Sequence, residues 1–165
     1  VSDVRKAPHK QALHAIQLNE GILNVGETVV LAIDQRRRKA ITANHSAAHL
    51  LQAALRQIVG MHIQQAGSFV GPDYLRFDFT HYEKVSETQL IEIEALVNNF
   101  VFSSSSVDIQ SMDIEDAKHD GAIALFDEKY EKTVRVITMG TISKELCGGC
   151  HVANTQEVGV FKIDA

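Results

Sequence analysis

The chain has little of what several classes of protein require. Its 165 residues include two cysteines, Cys147 and Cys150, so a secreted disulfide framework is not expected. A reduced, cytoplasmic protein with a metal or catalytic role fits better. No apolar run approaches the roughly 20 residues that a membrane-spanning helix needs, so no membrane partner is expected. No charged and apolar leader opens the sequence, and nothing indicates export.

The sequence also lacks the positive charge that is typical of a broad nucleic-acid surface. Its formal net charge is −5, which disfavours such a surface but leaves room for a local one. Arg36, Arg37, Arg38 and Lys39 form a concentrated basic run. We predict that these four residues contact nucleic acid. The competing interpretation is a solvated turn or strand end.

The remaining composition is that of a globular protein, with 45% hydrophobic and 22% charged residues. A length of 165 residues suits one domain or a domain with a small appendage. The chain starts at Val1 without a methionine and enters mid-pattern, so we expect a piece of a longer protein. Residues 1–40 are predicted to be the end of a small β-barrel subdomain, with strands at 22–23 and 29–33.

Residues 41–165 are predicted to form a second domain. The hydrophobic period predicts a helix that begins near Thr42–Asn44 and ends at Gly60. Strands, helices and turns then follow without regular alternation, which predicts an α+β fold with a mixed sheet packed against helices. The predicted elements are strands between 62 and 79 around a turn at 71–73, a helix capped by Ser86 and Gln89, a strand at 109–112, a helix at 114–119, and strands at 134–137 and 158–163.

Two short patterns suggest metal chemistry. His45-Ser-Ala-Ala-His49 places two imidazoles one helical turn apart on a single face. Cys147-Gly-Gly-Cys150-His151 places a thiolate and an imidazole around two glycines, which we expect to allow a tight turn. Nitrogen and sulfur are the ligands that zinc prefers. Together the two patterns predict a zinc site.

The spacing of the residues leaves two ligand sets open. Cys147 and Cys150 have the spacing of a structural zinc finger, so a set of two cysteines with His45 and His49 competes with a set that includes His151. Ordinary fingers keep their ligands within about thirty residues in order to fold a small segment. This chain is long enough to build its own core. A closed shell of four ligands is usually structural, whereas catalytic zinc keeps one position open.

The other titratable side chains receive simpler interpretations. Asp78 and Glu145 are possible general bases, but a structural or surface role is favoured for each. The histidines outside the two patterns lack a partner at a useful spacing and are predicted to be surface or strand residues. They are His9, His14, His62, His81 and His119.

Nearly the whole chain resembles the editing region of bacterial alanyl-tRNA synthetases, together with the tail of the β-barrel that precedes it. The resemblance rests on the residue stretches 44–51, 65–68, 75–79, 124–126 with 128–130, and 143–151, which read Asn-His-Ser-Ala-Ala-His-Leu-Leu, Gln-Ala-Gly-Ser, Leu-Arg-Phe-Asp-Phe, Ala-Leu-Phe with Glu-Lys-Tyr, and Ser-Lys-Glu-Leu-Cys-Gly-Gly-Cys-His.

That resemblance implies the fold of the second additional domain of threonyl- and alanyl-tRNA synthetases. It implies hydrolysis of alanine tRNA mischarged with serine or glycine, with the acceptor end of that tRNA and the rest of the parent synthetase as partners. The parent enzyme activates alanine with ATP, and we expect its catalytic domain to lie outside this sequence. The implied zinc ligands are His45, His49, Cys147 and His151. Gln65 is implied to be catalytic, and the residues predicted to bind the substrate are Gln65, Ala48 and Arg76.

The chain departs from the family at two positions. Ala48 and Cys150 each stand where a threonine is usual, and the missing hydroxyl at 48 removes a hydrogen-bond partner for the serine side chain or for water. Ala48 therefore favours a competing hypothesis, a zinc-stabilised tRNA-binding module without activity. A freestanding editing protein with the same fold and the related domain of threonyl-tRNA synthetases are the nearest variants of the main hypothesis.

Overall fold

The computed structural model describes residues 1–9, 11–124 and 130–164. The chain divides into two compact units, Val1–Ile33 and Asp34–Ala165. In the first unit, strands β1 (Asp3–Lys6) and β2 (Ala12–Ala15) pair as an antiparallel hairpin. The strands predicted at 22–23 and 29–33 are wrong. Their apolar side chains are exposed, Val30 to 93%, and no described strand of the unit pairs with them.

The second unit contains three helices, two separate antiparallel sheets and a short 3₁₀ helix within its described residues. In chain order these are α1 (Gln35–Ile58), β3 (Gln65–Val70), β4 (Leu75–Phe79), α2 (Glu87–Phe102), β5 (Val107–Asp113), α3 (Ile114–His119), β6 (Thr133–Met139), β7 (Ser143–Leu146) and the 3₁₀ helix Thr155–Val158. Strands β3 and β4 form one sheet, and β5, β6 and β7 form the other in that order. The α+β class is therefore confirmed.

Helix α1 begins earlier than the sequence predicts. Asp34 caps its first turn by accepting a hydrogen bond from the backbone N–H of Arg37 at 2.9 Å. The predicted cap at Thr42–Asn44 is wrong, because these residues lie inside the helix and the Asn44 amide instead donates to the carbonyl of Gly71. Residues 35–40, predicted to end the first domain, thus belong to the helix that carries the first histidine pattern.

The core of the second unit lies between α1, α2 and the three-stranded sheet. Leu50 and Ala54 of α1 are buried against Ile93 and Val97 of α2, and Ile137 of β6 closes the layer from the sheet. Burial of an aliphatic side chain of this size contributes about 1.5–3 kcal/mol. Phe77 and Phe79 of β4, in the two-stranded sheet, also pack against this cluster, as expected for half-buried strand positions. The packing fixes the face of α1 that remains for the functional site.

Several local predictions are confirmed. Ser86 and Gln89 form the predicted capping box of α2, and α3 spans the predicted residues. The turn between β3 and β4 closes with a hydrogen bond from the N–H of Gly71 to the carbonyl of Tyr74 at 2.9 Å. The central strand of the larger sheet covers the predicted residues 134–137. Each prediction rests on a local signal that packing did not override.

The last predicted strand, residues 158–163, is wrong. Gly159 has a φ of +79° and ends the 3₁₀ helix, and no described strand pairs with the residues that follow. Side chains of α2 take the place of a strand partner instead. Asn98 donates to the carbonyl of Phe161 and accepts from its N–H, at 2.8 and 2.9 Å, and Glu94 accepts from the N–H of Ile163.

Among the described residues, no helix is both long enough and apolar enough to cross a membrane.

Candidate metal centre and cavity

The two histidines of the first pattern lie on one face of α1. His45 and His49 are one turn apart, with ring centroids separated by 5.6 Å. His49 is buried, with an exposed fraction of 5%. Ala47 and Ala48 beside them are also buried, and their small side chains leave the imidazoles accessible to one another and to the loop that faces this helix.

The second pattern brings a thiolate and a third imidazole to the same point. Cys147 follows β7 directly, and its sulfur lies 3.4 Å from Nε2 of His45 and 3.4 Å from Nε2 of His151. One ligand atom from each of these residues and from His49 lies within 4.8 Å of the others. A tetrahedral zinc ion with Zn–S of about 2.3 Å and Zn–N of about 2.0–2.1 Å separates such atoms by about 3.5 Å. The two S···N separations match this spacing, and the four side chains could hold a metal ion such as zinc.

The two glycines between the cysteines have different roles. Neither has a positive φ, so a left-handed turn is not the reason for them. A Cβ on Gly149 would overlap the His45 ring at Cε1 and Nδ1, whereas a Cβ on Gly148 would meet nothing within 4 Å. Arg135 of β6 holds this loop by donating to the carbonyls of Cys147, at 3.1 Å, and of Gly149. The loop thus approaches His45 more closely than a side chain would allow.

Two of the imidazoles are oriented by residues behind them. Nδ1 of His49 lies 2.8 Å from Oε2 of Glu145, which is 1% exposed. Nδ1 of His151 lies 3.1 Å from the buried hydroxyl of Ser46, which also accepts from the N–H of Val152. A partner at Nδ1 fixes the ring and leaves Nε2 for the metal, an arrangement that is usual for zinc-binding histidines.

The charges of the cluster also suit a cation. Burial by itself raises the pKa of Cys147, but hydrogen bonds from His151, His45 and His49 lower it to about 3. A pKa this low favours the thiolate, which is the form that binds zinc. Burial by itself lowers the pKa of His49, yet Cys147 and Glu145 raise it to about 9. These two anionic groups favour a positive charge between them, which a metal ion would supply.

Cys150 lies apart from the cluster. Its thiol is exposed and is 3.8 Å from Nη1 of Arg38, and its sulfur is not among the four atoms that converge. The geometry therefore favours the ligand set that contains His151 over the alternative with two cysteines.

A cavity of about 430 Å³ opens beside the cluster. Gln65 and Ala48, two of the residues predicted to bind the substrate, are among its lining residues. The pairing of β3 with β4 slips between Gln65 and Gly67, and such a bulge re-aims the neighbouring side chains. The amide of Gln65 donates to the Ser68 hydroxyl at 2.9 Å. Arg76 is not brought to this cavity; it is exposed and pairs with Asp78.

The basic run Arg36–Lys39 occupies the first turns of α1 and is exposed. The alternative prediction, that these four residues form a turn or a strand end, is therefore wrong, because they are helical. Arg38 precedes His45 by two helical turns, which is about 10 Å along the axis. The two histidines of the first pattern and the basic run thus belong to one helix.

Sequence reasoning missed several residues that support the site. Ser46 lies inside the first pattern, so its position was a usable signal. The sequence indicates Glu145, just before the second pattern, as a possible base or a structural carboxylate but not as the partner of His49. Arg135 lies on another strand, and nothing in its local sequence indicates a contact with the loop. His62 and His81, predicted to lack a partner, lie 3.0 Å apart between Nε2 and Nδ1. Part of the motif at 124–130 falls on residues 125–129, which lie outside the described residues.

Comparison with known proteins shows which proteins the chain is similar to. A family model described as the threonyl and alanyl tRNA synthetase second additional domain matches residues 134–164. Alanine–tRNA ligases of Listeria innocua and Geobacillus kaustophilus are each 50% identical over 99% of the chain, which covers 18% of either relative. The enzyme of Streptococcus suis is 52% identical over the same share and is covered to 19%. The chain therefore corresponds to a segment, about a fifth of the full length, of bacterial alanyl-tRNA synthetases.

Proposed function

We propose that this chain hydrolyses the ester of alanine tRNA that has been mischarged with serine or glycine, at a zinc ion held by His45, His49, Cys147 and His151. The observation that carries the proposal is the convergence of four donor atoms within 4.8 Å, beside a cavity of about 430 Å³. That volume lies in the range of small-ligand sites. The relatives named above are ligases that join alanine to tRNA, so we expect the substrate of this cavity to be an aminoacyl ester of tRNA.

An alanine-specific synthetase has a physical need for this activity. Serine exceeds alanine by one hydroxyl and glycine lacks one methyl group. A single small group supplies only about 1–3 kcal/mol of discrimination, so a second, hydrolytic site is needed to correct the errors. The ester between an amino acid and the terminal ribose is activated, and a positioned water cleaves it without a covalent intermediate. The cavity therefore needs to hold the amino acid and to place a water.

The side chains divide this work. When bound, zinc would supply positive charge for the negative charge that develops on the ester carbonyl. Gln65 donates through its amide nitrogen to Ser68, which directs the carbonyl oxygen of the same amide to accept from a water or from the substrate. Glu145 is engaged with His49 and Ser143, so it acts by orienting His49 rather than as a base.

The start of α1 is suited to the phosphates of the tRNA. A helix N-terminus carries a partial positive charge, and acidic residues usually occupy the first turn to offset it. The first turn of α1 contains none, and Arg36, Arg37, Arg38 and Lys39 add to the charge instead. Apart from the cap at Asp34, this arrangement is unfavourable for the isolated helix. It favours binding of phosphate groups there. Charging and editing of tRNA would place the protein in the cytoplasm.

One observation favours a second candidate, a zinc-stabilised tRNA-binding module without activity. Ala48 lines the cavity with a methyl group where a hydroxyl would assist the substrate or water. In that case the four ligands would form a closed structural shell, and the basic run would carry the remaining function.

Release of serine from mischarged alanine tRNA separates the two candidates. We expect the chain to release serine well above the uncatalysed rate, and Cys147→Ala to lose both its zinc and this activity. Cys150→Ala is the matched control, because it removes an exposed thiol that lies outside the cluster, and we expect it to keep both. A chain that binds zinc and tRNA but releases no serine would reject the hydrolytic proposal in favour of the binding module.

A further inference from the structure

One polar side chain that lines the cavity has no role in the chemistry described above. Gln52 lies one turn beyond Ala48 on the same face of α1 and lines the cavity. It is 1% exposed. Among the described residues, neither its amide nitrogen nor its amide oxygen has a hydrogen-bond partner. A long carboxamide, with two N–H donors and an acceptor oxygen, therefore lines the cavity without a hydrogen-bond partner among the described residues.

This arrangement is unfavourable for folding alone. A buried polar group without a partner costs stability, and an aliphatic side chain of similar size would fill the same space without that cost. Buried polar groups are nearly always paired, so each exception needs an explanation. Leu51 and Leu55, the neighbours of Gln52 on the helix, are apolar and packed in the core, so a buried position on α1 does not require an amide. A ligand in the cavity would supply the missing partners.

We infer that Gln52 recognises the side-chain hydroxyl of a seryl ester and is a specificity-determining residue of the cavity. The inference rests on the proposed function, because it assumes that an aminoacyl ester occupies this cavity. A hydroxyl donates one hydrogen bond and accepts others, and a carboxamide offers both an acceptor and a donor. Ala48, one turn away, contributes only a methyl group. Gln52 thus supplies the polar contact that Ala48 lacks.

The inference explains how the cavity would spare correctly charged alanine tRNA. The methyl group of an alanyl ester leaves both amide atoms of Gln52 buried and unpaired, whereas a seryl ester pairs them. A site built to hydrogen-bond a substrate hydroxyl rejects the analogue that lacks it far more strongly than an apolar pocket distinguishes two sizes. Discrimination between serine and alanine therefore depends on this amide.

Binding of stable analogues tests the inference without relying on turnover. The probes are adenosines that carry a seryl or an alanyl group in amide linkage at the 3′ position, and calorimetry measures their dissociation constants. We expect the zinc-loaded chain to prefer the seryl analogue at least about tenfold, and Gln52→Met to reduce this preference to less than about threefold. Gln57→Met makes the same change at an exposed position of the same helix, and it should keep the preference.

Two further measurements separate a structural role from recognition. The melting temperature of Gln52→Met should equal or exceed that of the unmodified chain, because the variant removes two unpaired polar atoms. A retained seryl preference in Gln52→Met, or the absence of any preference in the unmodified chain, would overturn the inference. A chain that prefers the seryl analogue through Gln52 but does not release serine from tRNA would leave the inference standing and reject the hydrolytic function.

Discussion

The close approach of the 147–151 loop to α1 permits a sharp prediction from two adjacent glycines. Gly148→Ala and Gly149→Ala add the same methyl group at neighbouring positions of one loop, and neither glycine has a positive φ that alanine would resist. The methyl group at 148 enters open space, whereas the one at 149 overlaps the ring of His45. The two variants therefore differ in one contact with a predicted zinc ligand.

The size of the effect follows from the tolerance of a zinc site. Restoring an ordinary carbon–carbon separation of about 3.5–4.0 Å requires the His45 ring or the loop to move by more than about 1 Å. Ligand distances in zinc sites vary by only about 0.2 Å. The loop cannot withdraw freely, because Arg135 binds the carbonyl of Gly149. We expect Gly149→Ala to weaken zinc binding at least about a hundredfold, or about 2.8 kcal/mol, and Gly148→Ala to change it by less than about threefold.

Competition with a chromophoric zinc chelator measures both affinities, and metal analysis of the purified variants gives their zinc content. Far-ultraviolet circular dichroism verifies that both variants keep the helices and strands of the unmodified chain. Equal zinc affinities for Gly148→Ala and Gly149→Ala, both close to that of the unmodified chain, would show that the overlap with His45 does not matter. The proposed position of His45 in the shell would then be untenable.

Three other substitutions test separate parts of the structure. Glu145→Leu should weaken zinc binding about 10- to 100-fold, because it leaves Nδ1 of His49 without an acceptor. In chelator competition, Glu145→Gln should have an intermediate affinity, and the exposed control Glu92→Gln should be unchanged. Cys150→Thr should keep a full equivalent of zinc by metal analysis. Loss of zinc in this variant would support the alternative ligand set that contains both cysteines. Asn98→Ala should lower the free energy of unfolding in urea by about 1–3 kcal/mol, because both of its hydrogen bonds to Phe161 are lost; an unchanged midpoint and slope would contradict this role.

The sequence predicted those parts of the fold that depend on neighbours in the chain. Ser86 and Gln89 carry a complete helix-start signal within four residues, and the turn after Val70 is marked by Gly71. The four candidate ligands were predictable for a similar reason, because each pattern is short and has a chemically distinctive composition. The two patterns together predicted one site although about a hundred residues separate them, but only the resemblance to a family selected His151 over Cys150 as the fourth candidate.

The failures at residues 143–146 and 158–163 share a physical cause, which is that the deciding contact is distant in sequence. Residues 158–163 have the composition of a strand, yet their backbone is paired by side chains of α2 some sixty residues earlier. The unpredicted strand β7, Ser-Lys-Glu-Leu, is polar and has little intrinsic preference for a sheet. It forms because it pairs with β6, and this pairing places Cys147 at the edge of the sheet. The same limit applies to Arg135, whose contact with the loop is tertiary.

The longer α1 changes the interpretation of the basic run more than any other correction. A turn at 36–39 would be free to move relative to the histidines, and its charges would be a general surface property. As the first turns of the helix that carries His45 and His49, the same residues are held at a fixed distance from these two histidines. Arg38, His45 and Gln52 are spaced by seven residues and therefore share one face of the helix. In the proposed reaction, Arg38 would hold a phosphate of the tRNA, His45 would lie at the reacting ester and Gln52 would contact the side chain of the amino acid. Because the three residues lie on one helix, binding of any one of these groups would help to position the other two.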